Sequence, residues 1–409
     1  MDMGEMKNFR FHATNESYER YLENSISKAL ENGTIIQDDA DLIKSHVEEI
    51  ESTRHITSSR AFKIAGTLAT WRRFIGPYRD NTKFDLYRAI KNLKSARQEN
   101  GKPYSANTIA DFVRVLKRFY KWMSAEGFSC IDPKDIEKIK NPPINTMTKT
   151  AEAMLTEDEA MQILEVCQNS RDRALFSSLY EGGFRIGELA NLKWKAVKFK
   201  EHHVLVNVDG KTGRPRAVPL IISRPYLAEW KNNYPGKVEE DAFVFLALNS
   251  NRPIRYRALK KQLDVLIERA GITKKVTFHL FRHSRITHLK ERGLNESEIK
   301  LMMWGNLNTD MLSTYMHLSD THLETALEAI YEIKTPSKKT KPTIAPQQCA
   351  RCGALNSPTA SYCTNCGMPL SGDAEYDVEE LQVLLKAIPK DKVVELLSKS
   401  LMQGNPSGT

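Results

Sequence analysis

The sequence predicts a mainly α chain with a small β-sheet, an α+β protein. Three observations predict it. Apolar residues recur at helical spacing through most of the first 140 positions, one later stretch alternates around a glycine-containing turn, and four of the six cysteines fall within 18 positions near the C-terminus. With 409 residues the chain exceeds one ordinary core, so several domains follow. The composition, 41% hydrophobic and 27% charged, is globular rather than disordered. The boundaries read as a helical domain over 14–140, a mixed domain over 151–333, a basic linker over 334–346, a zinc ribbon over 347–370 and an amphipathic helical tail over 374–403.

In the first domain the apolar period runs through Tyr18–Leu30, Leu42–Ile50, Ala61–Ile75, Leu86–Leu93 and Ile109–Met123. Asn32-Gly33, Gly76-Pro77 and Gly101-Lys102-Pro103 separate the segments, which predicts a bundle of four or five helices. The last of these pairs an apolar stripe with Arg114, Lys117, Arg118 and Lys121 on its other faces. A core helix with a solvated face and a helix laid against phosphates both fit that pattern. The stretch after Ile131 brings prolines, Asn and Thr with no period, and marks the boundary.

The second domain opens on Thr156 and Glu159, the spacing of a capping box, ahead of Ala160, Ile163, Leu164 and Cys167. A second apolar helix covers Arg173–Tyr180, and HHVLVNV and RAVPL flank DGKTGRP as a β-hairpin. Helices resume at about Arg257–Ala270, Phe281–Arg292, Ser297–Met303, Asp310–His317 and Leu323–Ile333. The run KTPSKKTKPTIAP has almost nothing to bury and reads as a flexible basic linker. Leucine and valine spacing in the tail suggests two short helices broken at Pro389.

Charge is unevenly placed. The chain carries +9 overall, yet from Ser371 onward seven acids face four bases, so residues 1–370 hold +12. A mild basic excess raises the prior for a nucleic-acid partner without establishing one. No stretch reaches the roughly 18 apolar residues of a membrane span, and the first 20 residues lack the order of a secretory signal. These features exclude a membrane partner and lead to the expectation of a cytoplasmic protein.

Cys349, Cys352, Cys363 and Cys366 form two Cys-x-x-Cys-Gly turns, closed by Gly353 and Gly367. Two such turns aim four thiolates at one tetrahedral ion and leave no open position for water, so the expected cofactor is a structural zinc. An iron–sulfur centre or a redox pair is the alternative. Cys130 and Cys167 read as buried apolar thiols.

Three separated segments carry groups suited to a phosphodiester. Arg185 follows Gly182-Gly183 at the mouth of a helix, His279 and Arg282 share a helical face, and Tyr315 lies 33 residues beyond Arg282. In the order GFRIGEL, DGKTGRPRAVPL, HLFR and GNLNTDMLSTY, these stretches resemble the tyrosine recombinase (phage integrase) family. The motifs cover roughly residues 150–332, and the N-terminal helices resemble the family's core-binding domain by pattern alone.

The resemblance implies a site-specific recombinase that cuts and rejoins double-stranded DNA through a 3′-phosphotyrosine, with no nucleotide and no catalytic metal. It implies Arg185 and Arg282 as the phosphate clamp, Tyr315 as nucleophile, Lys211 on the hairpin turn as general acid, and His279 as a proton-transfer or hydrogen-bonding partner. Four protomers on two DNA sites, associated with the nucleoid, follow from the same likeness. The chemistry explains the residue types. Guanidinium groups bind phosphate bidentately and keep their charge, while a phenol of pKa near 10 needs a cationic field or a base to attack. Glu188 fits a buttress for Arg185 and equally a plain surface carboxylate.

One position departs from the family pattern. Asn306 stands nine residues before Tyr315, where the family usually has His or Trp. Asparagine can donate to a phosphate oxygen but brings neither charge nor an indole, and Trp304 is close enough in sequence to fill that space. A DNA-binding protein of weakened catalysis and a type IB topoisomerase-like enzyme are the alternatives. Two decoys fail. Gly210-Lys211-Thr212 lacks the glycine of a Walker loop, since Leu205 stands there, and the His279/His283 pair lacks the metalloprotease Glu, since Leu280 stands there. Tyr180, Tyr256 and Tyr331 read as structural.

Overall fold

The computed structural model describes residues 11, 14–98, 100–144, 153–209, 215–250, 252–309, 344–372 and 374. Lys211, Tyr315, the expected helices at Asp310–His317 and Leu323–Ile333, residues 334–343 of the linker and nearly all of the tail lie outside them. The chain divides into two compact units, residues 12–148 and residues 1–11 with 149–409.

Six helices build the described N-terminal unit: α1 (Asn15–Glu31), α2 (Gln37–Arg54), α3 (Ser58–Trp71), α4 (Lys83–Ser95), α5 (Ala106–Ala125) and the short α6 (Pro133–Glu137). Thr14 and Ser105 cap α1 and α5 by accepting backbone N–H groups. On α5 the stripe residues Val113, Leu116, Phe119, Tyr120 and Met123 are buried, joined by Ala110, Val115 and Trp122, while Ile109 and Phe112 are half-buried. α6 arises where no period is visible, because Asp132 caps it and Pro133 occupies its first turn. It also engages part of the basic face of α5. Lys121 pairs with Glu137 at 2.8 Å, and Lys117 donates to the Ile139 carbonyl at 2.6 Å.

The second unit begins with α7 (Glu157–Glu165), whose capping box is formed: the Glu159 N–H donates to Thr156 Oγ1 at 3.1 Å and the Thr156 N–H to Glu159 Oε2 at 2.8 Å. α8 (Ser170–Gly182) and the single-turn α9 (Ile186–Ala190) follow. Next come three antiparallel strands in the order β1 (Val197–Phe199), β2 (Val204–Asp209) and β3 (Pro215–Leu220). The β2–β3 register pairs Val204 with Leu220 and Val206 with Val218, all inside the core. Four more helices are described in this unit: α10 (Ser223–Asn232), α11 (Tyr256–Arg269), α12 (Phe278–Glu291) and α13 (Glu296–Trp304). The sequence pattern misses β1 and α10. β1 is three residues long, and Pro225 masks α10, although a proline in a first turn is tolerated.

Two further expectations are corrected. Cys130 is exposed, because Ile131 takes the buried position after α5; Cys167 is buried as expected, and burial pushes its thiol up to about 12. Ile344, in the run read as having little to bury, is 2% exposed within the core of the second unit. No described helix is long and apolar enough to cross a membrane.

Candidate active site and metal centre

The site is built on a turn that tolerates no side chain. Gly183 ends α8 at φ +55°, and a Cβ there would meet Met303 Sδ at 2.7 Å; a Cβ on Gly182 would meet the Phe184 ring at 2.1 Å. The turn delivers Arg185 to the N-terminus of α9 with its side chain 35% exposed. Glu188, one turn on, folds back upon it. The Arg185 N–H donates to Glu188 Oε2 at 2.8 Å and Arg185 Nη1 to Oε1 at 2.9 Å. The same carboxylate receives Arg216 Nη1 at 3.0 Å and Nη2 at 2.7 Å. Burial raises the Glu188 pKa, but Arg216 first and then Arg185 outweigh it and hold the carboxyl below the usual range.

Arg282, on α12, is 2% exposed and ties the turn to α13. Its Nη1 donates to the Gly183 carbonyl and its Nη2 to the Met303 carbonyl, both at 2.7 Å. Trp304 lies with its ring 5.0 Å from the Arg282 guanidinium carbon, so the indole covers this arginine. Gly305 closes α13 at φ +65° and Asn306 follows half-buried, its Oδ1 accepting the Asn308 N–H at 3.0 Å. His279 is exposed on the first turn of α12, its ring 4.5 Å from that of His283. Of the residues expected in the site, the described ones are therefore Arg185, Glu188, His279, Arg282 and Asn306.

Two site-building residues escape the motif reading. Arg216 is one, and a signal was present: alternation along β3 puts it on the buried face with Val218 and Leu220. Glu181 is the other. Its buried carboxylate accepts the N–H groups of Ile221, Ile222 and Ser223 and the Ser223 hydroxyl at 2.7–2.9 Å, capping α10 from the helix that ends in the glycine turn. Nothing in its local sequence marks it, since its partners lie 40 residues away.

The four cysteine sulfurs all lie within 4.8 Å of one another, with 3.6 Å separating Cys349 from Cys366 and Cys352 from Cys363. A tetrahedral ion at metal–sulfur distances of about 2.3 Å sets its sulfurs about 3.8 Å apart, so the cluster fits a metal and is far too wide for disulfides. Gly353 and Gly367 adopt φ +72° and +70°, and each returns its N–H to the first cysteine carbonyl of its turn at 2.9 Å. The short strands β4 (Gln347–Gln348) and β5 (Leu355–Asn356) frame the first turn. Fully buried Asn356 joins the two turns, accepting the Thr364 N–H at 2.9 Å and donating to the Ala354 carbonyl at 3.0 Å. The Cys366 N–H, acting against burial and helped by the Asn365 N–H, draws the Cys363 thiol down to about 6, whereas burial and the neighbouring sulfurs push the Cys366 thiol up to about 12, so these sulfurs titrate as one cluster.

The sequence pattern of the phage integrase family matches residues 153–322. Tyrosine recombinase XerA of Pyrococcus horikoshii is 30% identical over 249 residues, covering 60% of this chain and 81% of the relative. Lambda integrase bound to DNA shares the fold at 14% identity and a TM-score of 0.53, covering 69% of this chain and 98% of that one. A lambda integrase tetramer bound to a Holliday junction does so at 16% identity and 0.52, covering 68% and 78%. With the ordered motifs, the double-glycine turn and a relative matched over four-fifths of its length, the chain belongs to the phage integrase family of tyrosine recombinases.

Proposed function

We propose that this recombinase acts on double-stranded DNA at specific sites, breaking and rejoining strands by transesterification. The observation that carries the reading is the organisation of two arginines around one turn: Arg282 binds the Gly183 carbonyl, and Arg185 leaves the same turn two residues later. A scissile phosphate gains negative charge as it is attacked, and preorganised guanidinium groups at that point are the largest lever on rate. In this reading Arg185 presents the exposed guanidinium to the phosphate, while Arg282, buried with both Nη atoms on backbone carbonyls, fixes the turn beneath it and adds its positive field.

In the proposed step Tyr315 Oη attacks phosphorus, its proton passing to a nearby base or water. The bond from phosphorus to the 5′ oxygen breaks, and that oxygen takes a proton from Lys211. The products are a 3′-phosphotyrosine and a free 5′ hydroxyl, and a second strand's 5′ hydroxyl reverses the reaction to join strands. No external energy source enters, because one phosphoester replaces another. His279 assists proton transfer or binds the phosphate, and Asn306 donates one neutral hydrogen bond. The lambda integrase tetramer on a junction supports a four-protomer assembly on two sites for this chain as well. Such a reaction belongs in the cytoplasm, at the nucleoid.

For the ribbon we propose zinc held by Cys349, Cys352, Cys363 and Cys366 in a purely structural role, since four sulfur ligands leave no position for a substrate. One zinc per chain is the expected metal content, lost in Cys363→Ser. The catalytic reading is tested by incubating the full chain with a pool of nicked duplexes of randomised sequence and resolving the products on a denaturing gel. A covalent protein–DNA band that disappears in Tyr315→Phe is expected. Its absence, or its persistence in that variant, overturns the assignment.

A further inference from the structure

The guanidinium of Arg216 occupies a place that stability alone does not explain. Its strand positions on either side of Ala217 send Arg216 and Val218 into the same apolar core, and its side chain is 2% exposed. Both Nη atoms grip Glu188, while Nε is buried with no hydrogen-bond partner among the described residues. Replacing a buried ion pair by apolar side chains of similar volume is often neutral or stabilising, so an arginine with an unsatisfied Nε is a poor device for holding a core together. The group is well placed for something else. Its guanidinium carbon lies 5.7 Å from the Phe184 ring centre and its fork closes on Glu188, so it touches the chain immediately before Arg185 and one turn after it.

We propose that Arg216 is a positioning residue for the recombination step, fixing through Glu188 and Phe184 the direction and the available charge of Arg185. This inference rests on the function proposed above. Glu188 must restrain the Arg185 side chain without neutralising it. With Arg216 holding both carboxylate oxygens, Arg185 Nη1 needs only one of them, at 2.9 Å, and the Arg185 side chain keeps about a third of its surface exposed. Without Arg216 the carboxylate has a single cationic partner left and is free to rotate onto it, turning the guanidinium inward and cancelling charge that the phosphate requires. The strand that carries Arg216 follows residues 210–214, which include Lys211 and lie outside the described residues, so one bidentate contact also registers β3 against the glycine turn.

The experiment compares two substrates in single-turnover adduct formation by the full chain. One nicked duplex carries the ordinary scissile phosphodiester. The other carries a methylphosphonate there, which removes the anionic oxygen that Arg185 complements. On the phosphodiester, Arg216→Met is expected to slow adduct formation about 100-fold, the scale of a misplaced catalytic contact, and Arg216→Lys about 10-fold because charge remains but the fork is lost. On the methylphosphonate both losses are expected to shrink to under about threefold, because little charge is left to stabilise. Should Arg216→Met fail to fold, Arg216→Lys alone carries the comparison. Equal losses on the two substrates, or wild-type rates in either folded variant, would overturn the role of Arg216. A wild-type chain that forms no adduct with the phosphodiester overturns the proposed function itself, before any variant is compared.

Discussion

Two buried carboxylates, one in each unit, are held by arginine and serve different ends. Asp39 in the N-terminal unit is fully buried and receives the Ile36 N–H at 3.1 Å, the Tyr78 N–H at 2.9 Å and Arg72 Nε at 2.6 Å. Arg72 turns its Nη1 onto the Ile75 carbonyl, so the charge is spent inside the bundle, pinning α2 to the segment after α3. Glu188 in the second unit is shared between a buried arginine, Arg216, and a partly exposed one, Arg185. The first arrangement closes on itself and holds a fold. The second restrains a cation while leaving part of it to the outside, as the proposed phosphate site requires.

The comparison breaks most sharply at Asp39. Asp39→Ala strands three donors, one of them charged, and is expected to cost about 3–5 kcal/mol of stability, read as early thermal unfolding of the N-terminal unit. Arg185→Ala is the converse. Adduct formation should fall about 10²–10³-fold, while the thermal midpoint shifts little because the side chain is partly exposed and its partner keeps Arg216. Circular dichroism melts beside single-turnover gels measure both effects.

A third expectation sharpens the contrast through pH. Burial, with Arg54 adding to it, holds the His46 imidazole down at about 4, whereas an unfolded chain titrates near 6.5. The folded state therefore binds this proton later than the unfolded one. Its contribution is complete above about pH 6.5 and is lost as pH falls to about 4, a total of roughly 3 kcal/mol. Urea melts across that window should show the slope, and His46→Leu should flatten it. The smallest effect is expected at Thr156→Ala, which removes the cap of α7 for about 1 kcal/mol. Urea midpoints should drop slightly with no change in the rate of adduct formation.

Much of the fold was legible because helical period and capping chemistry are local. The five long N-terminal helices and the Thr156 box are read from residues within one turn of each other. The site was legible only in its motif residues. Glu181 and Arg216 meet partners 40 and 28 positions away, and such a pairing exists only once β3 and α10 have packed. Arg216 still left a trace, a charge at an inward strand position. Asn356, which joins the two cysteine turns, reads in sequence as an ordinary loop residue. Glu188 illustrates the limit: its spacing suits a buttress and a surface acid alike, and its burial between two arginines is visible only in the structure.

The way the four-cysteine segment is attached has a consequence for rearranging this chain. Ile344 fills a place in the core of the second unit, and the Tyr226 hydroxyl on α10 meets Thr359 Oγ1 at 2.8 Å. The four-cysteine segment is thus seated at its entrance and on its flank, and it forfeits the modularity that a tethered module would have. Cutting the chain at residue 343 would pull a plug from an apolar core, leaving a cavity where an isoleucine had been. Transplanting residues 347–370 to another protein would leave the socket behind. Recombination at the level of genes, the very process such enzymes serve, would find this boundary a poor place to splice.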